Sequence, residues 1–174
     1  GGLASGAGNV ISGNAGRGIL VDGGNSAVIQ GNRIGTTTAG TAALANTCYG
    51  VQIVSGTNNQ IGGASSAAMN VIAGNSSAGI ILQEVGTKGT LIYGNWLSVN
   101  VAGNRLANGA SSIAVINSAS GTRIGGRLTG EGNIIGGSFD QGIYLANTDQ
   151  TQIRGNLIGT NPAGSAKSEN FHGV

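Results

Sequence analysis

The side chains that carry most enzymatic chemistry are few in this chain and far apart. Six acids, Asp22, Glu84, Glu131, Asp140, Asp149 and Glu169, are spread over 174 residues. Glycoside cleavage needs two carboxyls about 5 to 9.5 Å apart, one as acid and one as base or nucleophile. Asp22 and Glu84 both follow a short apolar segment of the same type, but two copies apart, and no Lys or Arg stands beside either. His172 is the only histidine and Cys48 the only cysteine. A Ser-His-Asp triad, a thiolate zinc site and an intrachain disulfide therefore lack their parts. No Gly-Lys-Ser/Thr string marks a phosphate loop, and the regular aspartates of calcium-binding nonapeptide repeats are missing. Tyr93 and Trp96 could form a sugar platform, or could pack into the core or a loop. The expectation is a chain that is not an enzyme, with no catalytic residue, metal site or cofactor.

Charge narrows the partners. Eight Lys+Arg against six Asp+Glu leave a net charge of +2, and the basic residues form no stripe along the sequence. A nucleic-acid partner is not expected from such a pattern. Charged residues are 8 % and hydrophobic residues 39 % of the chain, which argues against disorder. Gly accounts for 35 residues with a single Pro and no strict triplet, which excludes collagen. No apolar run approaches the roughly 18 residues of a membrane span.

The elements that position these groups are repeats. Gly1-Gly2 through Asn9-Val10-Ile11-Ser12-Gly13-Asn14 returns as Gly62-Gly63 through Asn70-Val71-Ile72-Ala73-Gly74-Asn75, and again from Gly125-Gly126. Between these copies, Gly31-Asn32-Arg33-Ile34-Gly35-Thr36 returns as Gly155-Asn156-Leu157-Ile158-Gly159-Thr160. The drifted middle copy begins Gly94-Asn95-Trp96-Leu97. The large unit is 1–61, then 62–124, with 125–174 incomplete. Within it lies a finer unit of about 31 residues. Its mark is a small residue before an alternating apolar segment, at Gly18-Ile19, Gly50-Val51, Gly79-Ile80, Ser112-Ile113 and Gly142-Ile143.

Segments of three or four residues rich in Val and Ile, bounded by Gly, Asn, Ser and Thr, read as strands between turns. Stacked in register, such strands predict an all-β fold, a single right-handed parallel β-helix of about five to six coils of about 31 residues. Ile11, Ile29, Val51, Ile72, Ile92, Ile113, Ile135, Ile153 and Val174, spaced by 18 to 22, allow an alternative coil of about 21. Inward residues Ile19, Val51, Ile80, Ile113 and Ile143 would form one aliphatic ladder. Asn14, Asn32, Asn75, Asn95 and Asn156, each after a Gly, are the expected corner residues, able to form a stacked amide ladder. Read outward by alternation, Leu20, Gln52, Ile81, Ala114 and Tyr144 make a neutral stripe, a candidate lateral contact surface. Gln30, Gln60, Tyr93, Arg123, Gln152 and Arg154 would face outward on a second sheet.

The strings Asn-Val-Ile-Ser-Gly-Asn and Gly-Asn-Arg-Ile-Gly-Thr, with Ala-Gly-Thr-Ala-Ala-Leu-Ala-Asn over 39–46, resemble right-handed parallel β-helix repeat proteins. These belong to the pectate-lyase-like superfamily and are common in large bacterial secreted and surface proteins. The resemblance implies an extracellular or cell-surface setting. It does not choose a function, because this architecture serves lyases, hydrolases, tailspikes, adhesins and fibres alike. No capping segment is written at either end, and uncapped coils expose unpaired edges. The expected partner is therefore the chain itself, stacked head to tail, or the rest of a longer parent chain, with surface glycans as a further candidate. The expected function is a structural fibre, stalk or adhesin segment. The alternative is a carbohydrate-binding or polysaccharide-degrading β-helix whose active region lies outside this segment.

Overall fold

The structure, a computed structural model, describes residues 1–174. Sixteen short strands follow one another in a fixed rotation. The first two rounds are β1 (Val10–Ile11), β2 (Ile19–Asp22), β3 (Val28–Ile29), β4 (Arg33–Ile34), β5 (Val51–Val54) and β6 (Gln60–Gly62). The next two are β7 (Val71–Ile72), β8 (Ile80–Gln83), β9 (Leu91–Tyr93), β10 (Trp96–Leu97), β11 (Ile113–Ile116) and β12 (Arg123–Ile124). Then come β13 (Ile134–Ile135), β14 (Ile143–Ala146), β15 (Gln152–Ile153) and β16 (Leu157–Ile158). Every third strand pairs in parallel with the one before it, giving a first sheet of six strands and second and third sheets of five each. The chain is a parallel β-solenoid with three flat walls. No helix is long and apolar enough to cross a membrane.

The core is one column. Alternation points Val51 and Ile53, Ile80 and Leu82, and Ile113 and Val115 inward from the second sheet, where all six are fully buried. Ile34, Ile72, Leu97 and Ile135 enter from the first sheet, and Ile61, Ile92 and Ile124 from the third. β-branched residues dominate because they suit a pleated surface packed on like neighbours above and below.

Two expectations change here. The second and third sheets, with five strands each, enclose four full turns, so the solenoid has about four turns rather than five to six coils. Dividing length by 31 counts end residues that form only parts of turns. The coil of about 21 residues is excluded, since Ile11, Ile29 and Val51 lie on the first, third and second sheets. A step of about 21 residues is two-thirds of a turn, so it lands on a different wall each time.

The 62-residue unit has a geometric cause. Partners along the first sheet are separated by 23, 38, 25, 38 and 23 residues, while the other walls keep an interval near 31. Connections 12–18, 73–79 and 136–142 from first to second sheet are short, whereas 35–50 and 98–112 are long. From third to first sheet the order reverses: 30–32, 94–95 and 154–156 are short, 63–70 and 125–133 long. Alternate coils thus carry their spare residues on opposite sides of the first sheet. Loops 35–45, 98–107 and 159–169 project on one side, each closed by an antiparallel bridge, Thr36 to Ala43, Val99 to Arg105 and Thr160 to Lys167.

Candidate functional site

The five expected corner asparagines separate into two columns, each larger than the sequence reading supposed. Asn32, Asn95 and Asn156 stand with Asn9, Asn70 and Asn133 at the entry to the first sheet. Each Nδ2 donates to the Oδ1 of the next coil, at 3.0 Å from Asn9 to Asn32, 3.0 Å from Asn32 to Asn70, 2.9 Å from Asn70 to Asn95, 3.0 Å from Asn95 to Asn133 and 2.9 Å from Asn133 to Asn156. The same Oδ1 also accepts the backbone N–H of the lower asparagine, as Asn133 does from Asn95 at 2.9 Å. A second Nδ2 bond runs back to a third-sheet carbonyl, that of Ile29, Ile61, Ile92 or Ile124. Burial of Asn32, Asn70, Asn95 and Asn133 is thus matched by nearly complete hydrogen bonding, the condition for placing amides in a core.

Asn14 and Asn75 belong to the other corner, with Asn46 and Asn108. Nδ2 of Asn14 donates to Asn46 at 2.7 Å, Asn46 to Asn75 at 2.9 Å, and Asn75 to Asn108 at 3.0 Å. The fifth position holds Ser138, whose Oγ donates to Asn170 Oδ1 at 2.6 Å. The column breaks below it: Asn108 turns its Nδ2 to Ser98 Oγ at 2.9 Å, and Ser98 Oγ meets Ser112 Oγ at 2.8 Å. Both columns had a signal in the sequence. The first is Asn two residues before an inward apolar residue in all six copies; the second is Asn four residues before the Gly or Ser that opens the second sheet. Gly-Asn as a search string catches parts of each and the whole of neither.

Leu20, Gln52, Ile81, Ala114 and Tyr144 are neighbours in register across the second sheet. The stripe is open only at its ends, where Leu20 is 48 % and Tyr144 42 % exposed; Gln52, Ile81 and Ala114 are buried. Arg17 Nε donates to Gln52 Oε1 and covers that amide. Asp22 pairs with Val54, which pairs with Gln83, so Asp22 and Glu84 stay two coils apart. Cys48 is a half-buried free thiol.

Trp96 lies on the outer face of the first sheet, between Val71 and Ile134. It floors a groove of about 700 Å3 between loops 98–107 and 159–169. Loops 35–45 and 98–107 close on each other instead, through Val101 N–H to Gly40 O at 3.2 Å and Asn100 Nδ2 to Thr41 O at 3.1 Å. Lys167 and Glu169 pair at 2.7 Å on the groove's rim. Their hydrogen bond holds the Glu169 carboxyl below its ordinary value and the Lys167 ammonium above its own. Ser168 is buried in the wall of the groove, and its Oγ has no hydrogen-bond partner. No group of three or more His, Cys, Asp and Glu side chains converges on a point where a metal ion could sit.

Set beside family models, curated proteins and solved structures, the chain gives no match, so the geometry above carries its own interpretation.

Proposed function

We propose that this chain is a non-enzymatic, structural segment of an extracellular or cell-surface protein, a fibre, stalk or adhesin shaft built by end-to-end stacking of coils. The observation that supports it is the direction of the asparagine column. Donors point from β1 towards β16 at every step. Within the chain, Asn9 Oδ1 accepts no bond at one edge, and Asn156 Nδ2 makes only its bond to Ile124 O, at 2.8 Å, at the other. The two faces of every coil are therefore complementary, so a further coil, from a second copy or from a longer parent chain, can continue the column, and a contact of this kind between copies that does not close produces a filament. Strand edges bearing unpaired N–H and C=O groups add the same preference for another coil. Electron microscopy of the native material tests this: the expected result is filaments with an axial repeat in multiples of about 4.8 Å. Discrete particles with free ends at high concentration would overturn it.

A second reading, carbohydrate binding, draws on the Trp96 groove. An indole flanked by Asn104, Arg105 and the Lys167–Glu169 pair offers a stacking face with polar groups around it. Glycan-array binding that disappears in Trp96→Ala, with filament formation unchanged, is the result this reading expects. No binding to any glycan would refute it.

A further inference from the structure

The outer face of the third sheet holds a second cleft, of about 290 Å3, at the base of the 125–133 loop. Tyr93, Arg123, Gln152 and Arg154 reach it from the sheet, and Arg127 and Glu131 from the loop. Three of the chain's eight Lys and Arg residues therefore meet at one place. None of the three guanidiniums makes a salt bridge, the only one in the chain being Lys167–Glu169. Glu131 is held instead by the Leu128 N–H, which donates to its Oε2 at 3.0 Å.

The solenoid supplies its own control. One unit earlier, loop 63–70 leaves the third sheet at the same corner; strand register aligns Gln60 with Arg123 and, one step past the strands, Tyr93 with Arg154, and the Gly62-Gly63 and Gly125-Gly126 repeat sets Ala64 against Arg127. There, Gln30 and Gln60 donate to the Gly62 carbonyl at 3.1 and 2.9 Å, and the corner is uncharged. The coil forms equally with either set, so the fold does not demand the arginines. Three separate positions carry the same cation around a single cleft in this copy and none of them does in the other.

From this geometry we infer that the third-sheet cleft is a binding site for a phosphate-bearing ligand, its phosphate held by Arg123, Arg127 and Arg154 and its carrier lying against Tyr93. Three guanidiniums and one carboxylate leave a net charge of +2 in the cleft. A phosphate monoester carries about −1.5 to −2 near neutral pH, which offsets that charge. It also presents three terminal oxygens, one for each guanidinium fork, whereas a carboxylate has only two. The volume sits at the small end of ligand clefts, about 300–1,000 Å3, and fits a phosphate with a single sugar-sized carrier.

The test is calorimetric titration at low salt with inorganic phosphate, glucose 6-phosphate, glucuronate and glucose. The comparison chain carries Arg123→Gln, Arg127→Ala and Arg154→Tyr, the residues of the uncharged corner, which keeps folding safe; thermal unfolding checks this. The expected order is glucose 6-phosphate at least about tenfold tighter than glucuronate, with glucose silent, since charge-assisted bonds dominate. The triple variant loses about a hundredfold or more, and each single variant about tenfold. Glucose 6-phosphate tighter than inorganic phosphate assigns part of the affinity to the carrier on Tyr93 and supports the whole site; equal binding supports the arginine subsite and overturns the placement of the carrier on Tyr93. Glucuronate binding as tightly as the phosphates, absence of phosphate binding, or full binding by the triple variant would overturn it.

Discussion

Asn95→Ala is the sharpest probe of the amide column. Asn95 Nδ2 donates to Ile61 O at 2.9 Å, Tyr93 O at 3.0 Å and Asn133 Oδ1 at 3.0 Å, and its Oδ1 accepts Asn70 Nδ2 at 2.9 Å and the Asn70 N–H at 3.4 Å. Truncation deletes them all; two amide hydrogens shared over three acceptors and one long contact amount to about three full bonds. Its neighbours keep part of their bonding, because Asn70 Nδ2 still reaches Ile29 O and Asn133 Oδ1 still accepts the residue 95 N–H. At about 1 kcal/mol per net bond, the loss is about 3 kcal/mol, with a further cost for any amide hydrogen left dry. Asn9→Ala is the matched control: it removes one Nδ2 bond to Asn32 from an exposed residue, and should cost under about 1 kcal/mol. Guanidinium denaturation, read as a midpoint shift at unchanged slope, measures both. A shallower slope in Asn95→Ala would show the solenoid parting at the break, as nearest-neighbour stability allows. Asn95→Asp should be worse than Ala at neutral pH, since two acceptors then face the Ile61 carbonyl, and should recover on acidification when the carboxyl regains a donor. Equal costs for Asn95→Ala and Asn9→Ala would refute the column as a source of stability.

Three further outcomes are expected. Ile113→Ala, fully buried within the aliphatic column, should destabilise by about 2–5 kcal/mol, and Ile19→Ala by less because Ile19 is only half-buried; denaturation midpoints compare them. Gly62→Ala should cost about 2 kcal/mol or more, because φ is +82° and a Cβ would strike the Tyr93 carbonyl oxygen; thermal unfolding reads the loss. The Glu169 carboxyl should titrate below an ordinary glutamate by NMR and rise in Lys167→Ala, where only the weaker pull of Arg105 remains. Its folded value is depressed, so the pair's contribution is present above the unfolded carboxyl's pKa and fades as pH falls through the folded one. Lys167 is raised, so at the alkaline side that contribution is lost only as pH climbs through its elevated folded value.

The walls of the solenoid were legible because burial enforces them. An inward position admits only an apolar residue, so Ile and Val recur at Ile19, Val51, Ile80, Ile113 and Ile143, and a regular interval survives in the sequence. The amide columns were half legible. Asparagine also serves turns and loops, and Asn14 and Asn32 look alike as Gly-Asn pairs although they sit at different corners. The outer face of the first sheet and the two clefts were least legible. Outward positions tolerate Arg33, Val71, Trp96, Ile134 and Leu157 in one register row, so no residue type marks the row. Alternation placed Arg123 on an outward face, but which loops flank it and Trp96 could be read only after the alternating loop lengths had placed the corners.

That alternation is also what lets one fold carry different surfaces. A long loop on every coil would stack on its neighbour at about 4.8 Å and leave no room between them. With long loops on alternate coils, each is separated from the next by a bare coil, about 10 Å in all, enough for a side chain or ligand to enter. Loops 35–45 and 98–107 fill that gap with their own contacts, while 98–107 and 159–169 leave it as the Trp96 groove. On the opposite corner the same spacing separates the 63–70 and 125–133 loops, and the space beneath the latter becomes the arginine cleft. The inward row and the amide columns do not change between these cases. Stability therefore resides in positions that repeat, and any binding function in positions that do not, so residues that break the repeat, Trp96, Arg123, Arg127 and Arg154, are where substitution should alter binding while leaving the coil intact.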